Sequence, residues 1–150
     1  MEYMKFTTEI KFSYEDFENL LISALEGGSN YWCIARPKTP SAEALRIFEK
    51  IERSDECDEG MKGLAMSELI ARYVWAGGRV EFQGAENTGY VEYDNESSVW
   101  EFDLDGVMRG FKLMQETQPR HWSDFKRDNA DADTADVWFQ LALMGEITFG

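Results

Sequence analysis

RVEFQGAENTGYVEYDNESSVWEFDL, residues 79–104, is the stretch that decides the fold class. Apolar and polar residues alternate in three short runs, 79–83, 89–93 and 99–104. Successive side chains on a strand point to opposite faces, so this alternation predicts strands with one buried face. The spacers GAENT (84–88) and DNESS (94–98) are short, polar and rich in turn-forming residues, which predicts an antiparallel β-meander. Elsewhere the apolar period lengthens to that of a helix. The expectation is a single α+β domain over residues 1–150, a meander packed against several α-helices.

Upstream, MEYMKFTTEIKF (1–12) puts Met4, Phe6, Thr8, Ile10 and Phe12 on one side, as a half-buried strand would. Ser13 and Asp16 form a capping-box pattern before Phe17, Leu20, Leu21, Ala24 and Leu25 at helical spacing. Gly27 and Gly28 read as a left-handed helix stop, and SNYWCIA (29–35) as a short strand. After the loop RPKTPS, Ser41 can cap a helix carrying Leu45, Ile47 and Phe48, which frays into acidic ERSDECDEG (52–60). Another helix is expected at 64–76, with Leu64, Leu69, Ile70 and Val74 as its apolar members. Downstream of the meander, Asp105 opens a helix bearing Val107, Met108, Phe111 and Met114. RHWSDFKRD after Pro119 is a short helix, and DADTADVWFQLALMG (131–145) a longer one ending at Gly145, before a last edge strand EITF (146–149).

Composition narrows the function. The chain has 150 residues, and 43% apolar with 14% aromatic content favours a packed core over disorder. No apolar run reaches the ~18 residues of a membrane span, and no leader opens the chain, so the expected location is the cytoplasm. Cys33 and Cys57 have neither metal-site spacing nor the density of a disulfide scaffold, and are read as free thiols. The net charge of −14 repels nucleic acid polymers and membrane surfaces. An anionic ligand is then admitted only through a local cluster of arginines and backbone amides. A solvated surface is the plain explanation of the acidity; imitation of DNA is a second.

A single histidine, His121, removes whole classes of enzyme. Paired His-x-Thr phosphodiesterases need two, and multi-histidine metallohydrolases need more. Neither thiol sits in a nucleophile motif, and no phosphate-binding glycine loop follows a strand. Carboxylate pairs carry no signal among 29 acidic residues. A non-enzymatic chain without a metal or cofactor is expected.

The candidate binding residues each have a plain alternative. Gly27 and Gly28 let a backbone approach a ligand, Asn30 offers a donor and an acceptor, and Tyr31 and Trp32 offer rings; a helix stop plus one core aromatic explains the same letters. Phe82 precedes the turn at 83–87, near an edge of the sheet, where it could stack on a purine, although sheet aromatics are more often core. Arg109, between Met108 and Gly110, is either a phosphate fork or a solvated ion-pair partner; Gly110 suggests close approach of another backbone. Arg120 and His121 follow Pro119 at a helix start, where anions are attracted, or else both lie in water.

ALEGGSNYW (24–32) and DADTADVWFQLALMGEITFG (131–150) resemble segments of small bacteriophage proteins, the Thoeris anti-defence sponges. The resemblance spans most of the chain and is most distinctive at 27–32 and 131–150, with a looser middle. It implies a phage protein that binds, without cleaving, the cyclic ADP-ribose isomer made as an alarm signal by a TIR-domain defence enzyme. It also implies homo-oligomers with pockets at subunit junctions, and in some members separate sites for cyclic oligonucleotide signals. The aromatic–arginine pair of the family pocket matches Phe82 and Arg109. Asn30, Trp32, Arg120 and His121 complete the ligand-binding set from the residue-level reading. The alternative function is an acidic inhibitor that mimics DNA or blocks a defence protein by direct contact.

Overall fold

The structure, a computed structural model, describes residues 10–33, 41–55, 65–84 and 99–150. Its elements run α1 (Tyr14–Ser23), a π-helical turn (Ala24–Gly28), α2 (Ser41–Asp55), α3 (Met66–Trp75), β1 (Val80–Gln83), β2 (Val99–Phe102), α4 (Leu104–Thr117), α5 (Pro119–Lys126) and α6 (Ala132–Met144). The α+β class is therefore as expected, with helices dominating the described residues.

Among the described residues the sheet has two strands. β1 pairs antiparallel with β2, in the register Val80↔Phe102 and Phe82↔Trp100. In a meander the middle run would separate the first from the third; here those two runs are hydrogen-bonded to each other. The middle run, with Tyr90 and Tyr93, lies outside the described residues. So do most of the N-terminal strand expectation, Leu64 and Cys57. Within that first expectation, residues 10–12 are neither helix nor strand. Phe12 stacks on Phe111 with ring centroids 4.2 Å apart.

Helix boundaries follow local chemistry. Ser13 caps α1 through a reciprocal pair, its Oγ accepting from the Asp16 N–H and the Asp16 carboxylate accepting from the Ser13 N–H, each at 3.1 Å. Asp103 caps α4 by accepting from the Gly106 N–H, and Asp131 caps α6 by accepting from the Thr134 N–H. Pro119 opens α5, where its missing N–H costs nothing. Gly145 closes α6 in the left-handed region at φ 75°.

Helix α6 is the central element. Trp138 and Phe139 on it are fully buried, and its neighbours include α1, α4, α5 and the sheet. Its close approach to α4 is set by small residues: a Cβ on Gly110 would lie 2.9 Å from the Ala142 Cβ, and one on Gly106 2.9 Å from the Ala142 carbonyl oxygen. The backbone approach expected from Gly110 is thus realised by α6. Burial of Phe17, Phe82, Phe102, Phe111, Trp138 and Phe139 makes an aromatic core around this helix.

The diglycine behaves differently from the left-handed stop expected of it. Among the described residues positive φ at glycine occurs at Gly77, Gly145 and Gly150, so Gly27 and Gly28 are not left-handed. Instead α1 widens into the π-helical turn, and the Ser29 N–H donates back to the Ala24 carbonyl at 2.8 Å. Gly28 is needed for closeness: a Cβ there would stand 2.4 Å from the Ala132 carbonyl oxygen. No side chain fits between this turn and the start of α6. Residues 29–32 then form a turn rather than a strand, and Cys33 makes one isolated bridge to Gly84.

Candidate ligand-binding cleft

The turn at 29–32 is pinned to α6 by one carboxylate. Asp136 is 8% exposed and accepts from the Ser29 hydroxyl (2.8 Å) and Trp32 Nε1 (2.6 Å) on one oxygen. Its other oxygen accepts from the Tyr31 hydroxyl (2.5 Å) and Gln140 Nε2 (3.1 Å). These partners are all neutral donors. A buried carboxylate is tolerated only when its lone pairs are this well occupied.

Gln140, also fully buried, continues the network into the C-terminal tail. Its Oε1 accepts from the N–H groups of Thr148 and Phe149, both at 2.9 Å, and its Nε2 donates to the Phe149 carbonyl at 3.1 Å. The expected edge strand at 146–149 is therefore absent, because a glutamine side chain has taken those backbone partners. The Phe149 ring lies nearly parallel to Trp32 at 5.2 Å, which fixes the tail against the turn.

Between these parts and α5 lies a cleft of about 720 Å³. Its floor is a stripe of α6, Asp133, Asp136, Val137 and Gln140, at the i, i+3, i+4, i+7 spacing of one helix face. Tyr31 and the tail residues Ile147, Thr148, Phe149 and Gly150 line it, as do Arg120, His121 and Asp124 of α5. His121 Nδ1 is 2.9 Å from the Thr134 hydroxyl, which ties α5 to α6. The Thr134 N–H, with His121 adding to it, holds the Asp131 carboxyl below the usual carboxylate range. Burial, then the neighbouring Asp136, pushes the Tyr31 hydroxyl up, so it stays a protonated donor.

Of the residues expected to bind, Arg120 and His121 line the cleft. Trp32 sits just behind it, buried, giving its N–H to Asp136. Asn30 is exposed on the same turn but is not a lining residue. Phe82 is 0% exposed, packed edge-on against Phe102 and Phe139 at 5.9 and 5.4 Å, so it offers no face to a ligand in this chain. Phe82 does lie near the edge of the sheet, one residue from the end of β1, but its ring faces inward and is covered by Phe102 and Phe139. Arg109 donates from its guanidinium to the carbonyls of Ala142 (2.6 Å) and Leu143 (3.1 Å), the open C-terminal carbonyls of α6. Phe82 and Arg109 are not brought together in the cleft.

That placement of Arg109 makes a direct prediction. Arg109→Ala should lower folding stability by about 1–2 kcal/mol, the size of a charged cap on orphan carbonyls. Chemical denaturation checks it; an unchanged midpoint would show that water caps the helix end equally well.

Sequence reasoning missed Asp136 and Gln140, and weighed Tyr31 only as a stacking surface. A signal existed: Asp136 and Gln140 are polar residues four apart amid the apolar run of α6, a spacing that puts both on one face. Among the described residues no cysteine lines the cleft; Cys33 is buried behind it, where burial and then the Asp136 charge push its thiol well above its usual range. Among the described residues no cluster of His, Cys, Asp and Glu could hold a metal ion, and no helix is long and apolar enough to cross a membrane. No protein-family model, curated protein or solved structure matches the chain.

Proposed function

We propose that the chain is a non-catalytic binding protein that sequesters a cyclic ADP-ribose-type nucleotide, acting as a phage anti-defence factor in the cytoplasm of an infected bacterium. One observation carries this reading. The two stretches behind the resemblance, 27–32 and 131–150, are far apart in sequence yet meet at Asp136, and together with α5 they line the cleft. Its volume lies within the roughly 300–1,000 Å³ of small-molecule sites. Arg120 and His121, in the first turn of α5, suit a pyrophosphate, since a helix start and a guanidinium both favour anions. The acidic floor suits ribose hydroxyls, which donate to carboxylates. Nanomolar capture needs about −12 kcal/mol, more than a cleft rimmed by exposed Arg120, Asp131, Asp133 and Thr148 supplies alone. A second copy closing over it is the oligomer this reading requires.

The cleft also holds Asp124, Asp131, Asp133 and Asp136 against one arginine. That balance favours a second reading, an acidic inhibitor whose cleft receives a basic side chain of a defence or DNA-binding protein. One experiment separates the two. The protein is mixed with cyclic ADP-ribose isomers and with cyclic di- and trinucleotides, filtered, and then heat-denatured. Sequestration predicts that one nucleotide is retained and returns chemically unchanged. A hydrolysed product would indicate carboxylate catalysis instead, and retention of none would leave the inhibitor reading.

A further inference from the structure

Among the described residues the large aromatic rings are mostly buried, and Tyr31 (43% exposed) and Trp75 (40%) stand out. Trp75 is packed by the rings of Phe12, Tyr14 and Phe17. Tyr31 has no ring against it among the described residues, yet it is not loose. Its hydroxyl donates to Asp136 at 2.5 Å, and Gln140 Nε2 lies 3.4 Å from it. The backbone behind it is fixed at Ser29 and Trp32, whose side chains donate to the other oxygen of the same carboxylate. An unpacked ring held at both ends along the side of a cleft is a preformed surface, with its ordering cost already met before any ligand arrives.

We infer that Tyr31 is the stacking residue of the cleft, holding the flat heterocycle of a nucleotide, and that Asp136 is the positioning residue that sets its ring. This rests on the cleft being a nucleotide site, as proposed above. The hydroxyl is committed to Asp136, so Tyr31 presents a ring face rather than a hydrogen-bonding edge. Recognition by it then depends on stacking area and favours purines over pyrimidines, with little discrimination among purines.

The test titrates wild type, Tyr31→Leu and Tyr31→Phe with two probes, ADP-ribose and ribose 5-phosphate, by calorimetry. Wild type should prefer ADP-ribose by about tenfold or more, as base–aromatic stacking provides. Tyr31→Leu should weaken ADP-ribose binding by about tenfold, leaving the part of the preference that the second phosphate gains at Arg120 and His121, and should leave ribose 5-phosphate unaffected. Tyr31→Phe, which keeps the ring and loses its tether, should fall between. Unchanged ADP-ribose binding by Tyr31→Leu overturns the inference and leaves the nucleotide site standing; equal weakening of both probes shows Tyr31 to be only a structural wall. Wild type that binds neither probe, and retains no nucleotide in the filtration experiment above, overturns the nucleotide reading and this inference with it. If the variants do not fold, wild type decides: adenine H2 and H8 must show nuclear Overhauser contacts to the Tyr31 ring, and their absence rejects the assignment.

Discussion

Asp136→Ala should lower folding stability by about 3 kcal/mol, with the thermal midpoint falling by about 10 °C for a chain of this size. The carboxylate accepts from Ser29, Tyr31, Trp32 and Gln140, so the substitution removes four hydrogen bonds at once. The loss is smaller than four times a charged hydrogen bond, for two physical reasons. Removing the charge relieves the desolvation of a buried carboxylate. The exposed Tyr31 can turn its hydroxyl to water, and Gln140 keeps the Phe149 carbonyl. What remains is the Trp32 N–H, buried and able only to donate, and the buried Ser29 hydroxyl, together with the cavity left behind.

Asp136→Asn separates these effects. One oxygen survives and can keep Trp32 and Ser29, but the new amide N–H₂ then faces the Tyr31 hydroxyl and the Gln140 amide donor. Tyr31 can accept; Gln140 Nε2 cannot. A loss about half that of alanine is the expected result, by circular-dichroism melting. Should asparagine prove as damaging as alanine, the negative charge itself, rather than the count of acceptors, holds the turn.

The punctuation of this chain was legible because it is local. The Ser13–Asp16 capping box, Pro119 at the start of α5, and Gly145 at the end of α6 each act within one turn of backbone. The α+β class was legible for the same reason. What decides the site is non-local. Gly27 and Gly28 carry the same letters whether they supply positive φ or the 2.4 Å clearance that the Ala132 carbonyl demands at Gly28. Alternation in residues 79–83 announces that Phe82 faces inward, not that Phe102 and Phe139 cover it. Arg109 caps a helix end more than thirty residues away, a partner its own neighbourhood cannot name. Only the α5 side of the cleft was within reach, since Arg120 and His121 announce themselves by charge at a helix start. The other half hangs on Asp136 and Gln140, whose meaning lies in donors roughly a hundred residues upstream and in the tail.

Gln140→Leu should release the C-terminal wall of the cleft. Leucine fills the volume but offers nothing to the N–H groups of Thr148 and Phe149 or to the Phe149 carbonyl. Those groups must then reach water, and they can do so only if the tail lifts, which also withdraws the Phe149 ring from Trp32. The stability loss should be about 2–3 kcal/mol, set by the orphaned backbone groups and the lost stacking. The more telling result is local: amide exchange at residues 147–149 should become fast while α6 and α1 stay protected, and any nucleotide held by wild type should be released. Unchanged protection of Thr148 and Phe149 would mean that the ring of Phe149, and not the glutamine, anchors the tail. Gln140→Glu tests the donor half of the same amide. It keeps an acceptor for both N–H groups but sets a second carboxylate beside Asp136, so it should restore tail protection only when the pH falls far enough to neutralise one of the two. Because Gln140 and Asp136 share a hydrogen bond, the double variant Asp136→Ala with Gln140→Leu should lose less than the sum of the single losses. Strict additivity would place the turn and the tail in separate units, and the cleft between them would then have no common anchor on α6.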